Sequence, residues 1–166
     1  MKGFWDDAKF VLDTLLMKAV GLDEDGMDLT FTSGSCNVEG QEKGKQFMKA
    51  MQRPGAVPID GMHTDMAKAL QEILEKYLVQ ARQPYPQVKK NLTLIVLTDG
   101  IWSGTLDKDK VRRVVIDFCE SLEKIRGKNI RIERPVSIEF IQFGRDKEAT
   151  ARLRHLDDDL KWDGAP

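Results

Sequence analysis

Apolar residues at Phe4, Ala8, Val11, Leu12, Leu15, Leu16 and Ala19 recur at helical spacing, which predicts an amphipathic helix over Trp5–Val20. Gly21 and the acidic turn Asp23–Gly26 end it. Met27–Thr32 alternates apolar and polar positions and predicts a strand, broken by Ser33-Gly34-Ser35. A shorter helix is expected over Gln41–Gln52, stopped by Arg53-Pro54-Gly55. The strongest helical stripe joins Met66, Ala69, Leu70, Ile73, Leu74, Tyr77, Leu78 and Ala81. Pro84 and Pro86 lead from it to the apolar run Asn91–Leu97. That run predicts a strand buried on both faces, ending in Thr98-Asp99-Gly100. Val111, Val114, Val115, Phe118, Leu122 and Ile125 mark a further helix, closed by Gly127. A strand over Val136–Phe143 and a helix over Lys147–Leu156 complete the series.

Strands alternating with helices imply a mostly parallel sheet with helices on both faces, the Rossmann-like α/β class. The 166 residues suffice for one domain with a sizeable core, and no repeat or linker divides them. Charge is balanced at 26 basic and 27 acidic residues, which points away from nucleic acid as a partner. No apolar run approaches the ~20 residues of a membrane span, so no membrane partner is expected. MKGFWDDAKF does not read as a signal peptide, and Cys36 and Cys119 read as two reduced thiols. A cytoplasmic protein is the resulting expectation.

Asp99 is the leading functional candidate, because ligands of open α/β sheets bind beyond the carboxyl ends of strands. Nucleotide and dinucleotide phosphate loops and the G-x-S-x-G elbow do not occur in the chain. Three segments taken together resemble the von Willebrand factor type A (vWA) family. Asp60–Leu70 (DGMHTDMAKAL) is similar to its Gly-x-Thr loop opening a helix. Leu94–Gly100 (LIVLTDG) is similar to its strand ending in Thr-Asp-Gly. Asp25–Phe31 (DGMDLTF) is similar to its second strand, particularly in fungal members.

The resemblance implies a metal-ion-dependent adhesion site holding Mg²⁺ or Mn²⁺, completed by an acidic residue of a protein partner. By position, Thr64 and Asp99 match the family's Thr and Asp ligands. The family's Asp-x-Ser-x-Ser loop has no counterpart in the sequence, and His63 stands where Gly is usual. A vWA-like domain lacking its first strand and metal loop is therefore expected. Its metal site would be reduced to Thr64 and Asp99 and be weak or inactive. The expected function is non-catalytic protein–protein interaction. Two alternatives stay open: a small Mg²⁺-dependent hydrolase or phosphoryl-transfer enzyme using Asp99, and a structural remnant without ligand. At the level of single residues, Thr64 or Asp65 could serve only to cap the following helix, and Asp99-Gly100 only to turn the chain.

Four structural expectations follow. Thr64 and Asp99 should share one sheet edge. The loops Ser33–Val38, Pro58–Thr64 and Gly100–Gly104 should form the partner surface. Trp102 should be an exposed anchor, a residue type favoured at binding hot spots. The Met27 and Asn91 strands should pair directly, closing the slot left by the missing strand.

Overall fold

The computed structural model describes residues 1–19, 26–33, 36–41, 44–83, 91–107, 109–126 and 135–158. They form five α-helices and four strands in the order α1 (Trp5–Ala19), β1 (Met27–Leu29), β2 (Val38–Gln41), α2 (Lys45–Met51), α3 (Met66–Ala81), β3 (Leu92–Thr98), α4 (Lys110–Arg126), β4 (Val136–Gln142) and α5 (Lys147–Asp158). Two compact units result, each taken over its described residues. One comprises Met1–Asp65 with Ile101–Gly104, the other Met66–Gly100 with Thr105–Pro166.

In the first unit, α1 buries Ala8, Leu12 and Leu16, one residue per turn on a single stripe. α2 buries Phe47, Ala50 and Met51. The two helices approach closely where Gly44 meets Leu16. A Cβ on Gly44 would lie 3.1 Å from Leu16 Cδ1. The Trp5 ring lies 6.4 Å from that of Phe31, and its indole N–H donates to the Met51 carbonyl at 3.3 Å.

β1 and β2 form an antiparallel pair. The expected parallel role of the Met27 segment is thus not met, and the segment shortens to three residues. Its local hydrogen bonds explain why. The Asp28 carboxylate accepts from the Gly40 N–H at 2.6 Å, and the Phe31 N–H donates to the Asn37 side chain at 2.9 Å. The ladder shifts register between Met27↔Gln41 and Leu29↔Val38, with Gly40 at φ +60°. One extra residue in β2 with a glycine at positive φ is how a bulge is accommodated. Gln41 ends this strand, so the helix expected from Gln41 begins at Lys45 instead.

In the second unit, β3, α4 and β4 form a β-α-β unit whose strands run parallel in unbroken register from Leu92↔Val136 to Thr98↔Gln142. α3 and α4 supply Leu74, Tyr77, Leu78, Ala81, Phe118 and Leu122 to one cluster, packed against Leu92, Val136 and Ile138. The Tyr77 and Phe118 rings meet at 6.1 Å, and the Tyr77 hydroxyl donates to the Pro135 carbonyl at 3.3 Å. Each fully buried side chain of this size contributes roughly 1.5–3 kcal/mol by removal from water.

The strands of the described residues fall into two two-stranded sheets, one antiparallel and one parallel, rather than one mostly parallel sheet. The chain is a mixed α/β protein. β3 also departs from expectation. Exposure alternates along it: Leu92 packs against the cluster of α3 and α4, whereas Thr93 is exposed and Ile95 is 37% exposed. An apolar run predicted cover on both faces, and the centre of one face is exposed instead. β1 pairs with β2 and β3 with β4, so direct pairing of the Met27 and Asn91 strands does not occur.

Candidate functional site

The end of β3 is a tightly determined corner. The Thr98 hydroxyl accepts from the Gly100 N–H at 2.9 Å, folding the chain back at once. The Thr98 carbonyl accepts from the Phe143 N–H at 2.8 Å, which holds the corner to the end of β4. Gly100 takes φ +74°, and a Cβ there would lie 2.7 Å from the Ala149 Cβ. Only glycine satisfies both conditions. The Arg152 guanidinium donates to the Gly100 carbonyl, so α5 grips the corner at two points. α5 is itself started by Asp146, whose carboxylate accepts from the Ala149 N–H at 2.8 Å, an N-cap.

Asp99 sits in this corner, 9% exposed, beyond the carboxyl end of a parallel strand. It is the one buried carboxylate among the described residues. The sequence placed Asp99 just after a strand end, and β3 does end at Thr98. It did not foresee that α5 would close over the adjoining glycine, because that packing is not written in the local pattern.

Thr64 lies in the other unit and is half-buried. Its hydroxyl donates to the Ile101 carbonyl at 3.5 Å, and its carbonyl accepts from the Gly104 N–H at 3.0 Å. A Cβ on Gly104 would lie 2.9 Å from the Thr64 carbonyl carbon. The two backbones therefore touch, and glycine is needed here for space. The first free N–H of α3, that of Met66, donates to the Thr105 hydroxyl at 3.1 Å. A threonine distant in sequence thus accepts one of the N–H bonds at the start of α3.

Trp102 contradicts the expectation of an exposed anchor. It is 6% exposed and belongs to the core. Its loop is held down by Gly104 on Thr64 and by the Ser103 hydroxyl donating to the Met62 carbonyl at 3.4 Å. The apolar side chain this loop exposes is Ile101, at 54%. His63 is exposed. Of the three expected partner loops, Gly34 and Ser35 lie outside the described residues.

Burial, aided by neighbouring Glu120, pushes the Cys119 thiol above its ordinary range, which keeps it protonated and unreactive at neutral pH. The Arg113 guanidinium, hydrogen-bonded to Asp107, holds that exposed carboxyl below its ordinary range. Among the described residues, His, Cys, Asp and Glu side chains do not gather in any group of three or more able to hold a metal ion. Mg²⁺ requires near-octahedral oxygen coordination and gives up water reluctantly. Among the described residues no helix is long and apolar enough to cross a membrane.

No protein-family model, curated protein or solved structure matches the chain.

Proposed function

We propose that this chain is a non-catalytic protein-interaction domain of vWA-like type, with a reduced metal site at Asp99. One observation supports this most. Asp99 is a buried carboxylate beyond the carboxyl end of the parallel strand β3, and among the described residues no companion group of three or more His, Cys, Asp and Glu side chains able to hold a metal ion forms. Aspartyl-phosphate or metal-assisted hydrolysis needs such a companion to activate water or balance charge. A binding site that borrows a carboxylate from a partner does not. Mg²⁺ or Mn²⁺, if bound, is held weakly, and the exposed Ile101 gives the neighbouring loop an apolar contact.

The experiment is a turnover screen against phosphate monoesters and diesters with Mg²⁺ or Mn²⁺ in millimolar excess. The expected result is no turnover above that of the metal alone. Sustained hydrolysis that disappears in Asp99→Asn, with the circular dichroism of the variant unchanged, would establish the enzymatic alternative.

A further inference from the structure

α5 sorts its charges by face. Ala149 is buried against Gly100, and the Arg152 guanidinium donates to the Gly100 carbonyl, so that side of the helix lies on the corner after β3. Lys147, Ala151 and Arg154 are exposed and recur at i, i+4 and i+7, which puts them on one stripe. With Gly144, Arg145 and Thr150 they line a shallow, open concavity of about 420 Å³. Among the described residues its lining holds three cations and no carboxylate. The side chains of Arg145, Lys147 and Arg154 take part in no ion pair and no hydrogen bond among the described residues. Glu148 stands instead with Asp109, Arg152 and His155 around a second concavity.

We infer that this stripe is a docking surface for a short acidic segment of a protein partner, its carboxylates paired with Arg145, Lys147 and Arg154. The side chains would hold it rather than the helix end. The Ala149 N–H is already taken by the Asp146 carboxylate, and the Thr150 hydroxyl donates to the Asp146 carbonyl. Guanidinium groups bind carboxylates through two parallel N–H bonds, and an ammonium adds a further charge without fixing geometry. Gly144 and Ala151 keep the floor low between the cations, so a peptide backbone can approach.

Size and charge favour a short peptide as occupant. Lys147 and Arg154 lie two helical turns apart, roughly 10 Å along the axis. An extended chain covers that distance in about three residues, so carboxylates at i and i+3 reach both cations. A nucleic acid fits less well. Asp146 and Glu148 flank one end of the stripe and Asp157 and Asp158 the other, all exposed, so a long polyanion would meet carboxylates at both ends. Among the described residues no aromatic ring lines the concavity to stack a base. The stripe names a partner class for the interaction reading without using its Asp99 site. Hydrolysis that depends on Asp99 would refute that reading and leave this stripe standing.

The test is fluorescence anisotropy of a labelled hexaglutamate peptide titrated with the full chain at low ionic strength. Saturable binding that weakens as salt rises is expected, because exposed charges are screened. Lys147→Glu and Arg154→Glu should each weaken it severalfold. Ala151→Glu, which sets a carboxylate in the middle of the floor, should abolish it. These positions are exposed, so the variants should keep the circular dichroism of the unaltered chain. Lys124→Glu on α4 makes the same change in net charge outside the stripe and should leave binding intact. Absence of binding, or an equal loss in Lys124→Glu, overturns the inference. So does displacement of the peptide by inorganic phosphate but not by sodium chloride of equal ionic strength, which would mark a small-anion site. A single-stranded oligothymidine that binds more tightly than the peptide overturns it as well.

Discussion

Gly100 sets the geometry of the corner that holds Asp99, and it does so by lacking a side chain. Its φ of +74° is costly for other residues, and its face is filled by the Ala149 methyl. Gly100→Ala should lose about 2–5 kcal/mol, combining roughly 1–2 for left-handed backbone with 1–3 for overpacking. Gly61 supplies the control. It has φ +77° but nothing within 4 Å of a built Cβ. Gly61→Ala should lose only the backbone part, about 1–2 kcal/mol. Urea midpoints of the two variants decide this, and equal losses would remove Ala149 from the account. The sequence made Asp99 legible because a β-branched run ending in Thr-Asp-Gly marks a strand end. It could not show that α5 closes over the adjoining Gly100, since Ala149 and Arg152 come from a helix far along the chain. Trp102 failed for the same reason. A tryptophan in a Gly-flanked loop looks exposed until Gly104 is seen to press the loop onto Thr64.

Among the elements, the helices were the most legible. The stripe from Met66 to Ala81 matches α3 at both ends, and Val111–Ile125 lies within α4. A stripe of 3.6-residue period survives any arrangement of neighbours, because the helix satisfies its own backbone. Strands do not, and β2 was missed. Val38-Glu39-Gly40-Gln41 has no alternation, and it is a strand because Asp28 and β1 supply its bonds. α5 gives a direct test of how element and corner are joined. Asp146 caps the helix that covers Gly100, and its removal leaves the Ala149 N–H without that acceptor. Asp146→Ala should lose about 1 kcal/mol, while Asp146→Asn should retain most of the stability. Urea unfolding measures both. Equal losses in the two variants would mean that the carboxylate acts by charge elsewhere rather than as a cap.

For the molecule as a whole, the decisive quantity is how strongly a divalent ion couples to folding. A ligand that binds only the native state stabilises it by RT ln(1 + [L]/Kd). A site with micromolar Kd at about 10 mM Mg²⁺ would add roughly 5 kcal/mol, whereas one with Kd near 10 mM would add only about 0.4. For a chain of this length each kcal/mol moves the melting midpoint by about 2–4 °C. The two cases therefore differ by more than ten degrees against less than about two. Asp99 is the one buried carboxylate among the described residues, and no metal-holding group of three forms there. The expected shift on adding Mg²⁺ is the smaller one, and it should shrink further in Asp99→Asn. Mn²⁺ should behave alike, because it too prefers several oxygen ligands. A rise of ten degrees that vanishes in Asp99→Asn would show a complete, tight metal site at the end of β3. The adhesion-type chemistry of the vWA resemblance would then be active rather than reduced.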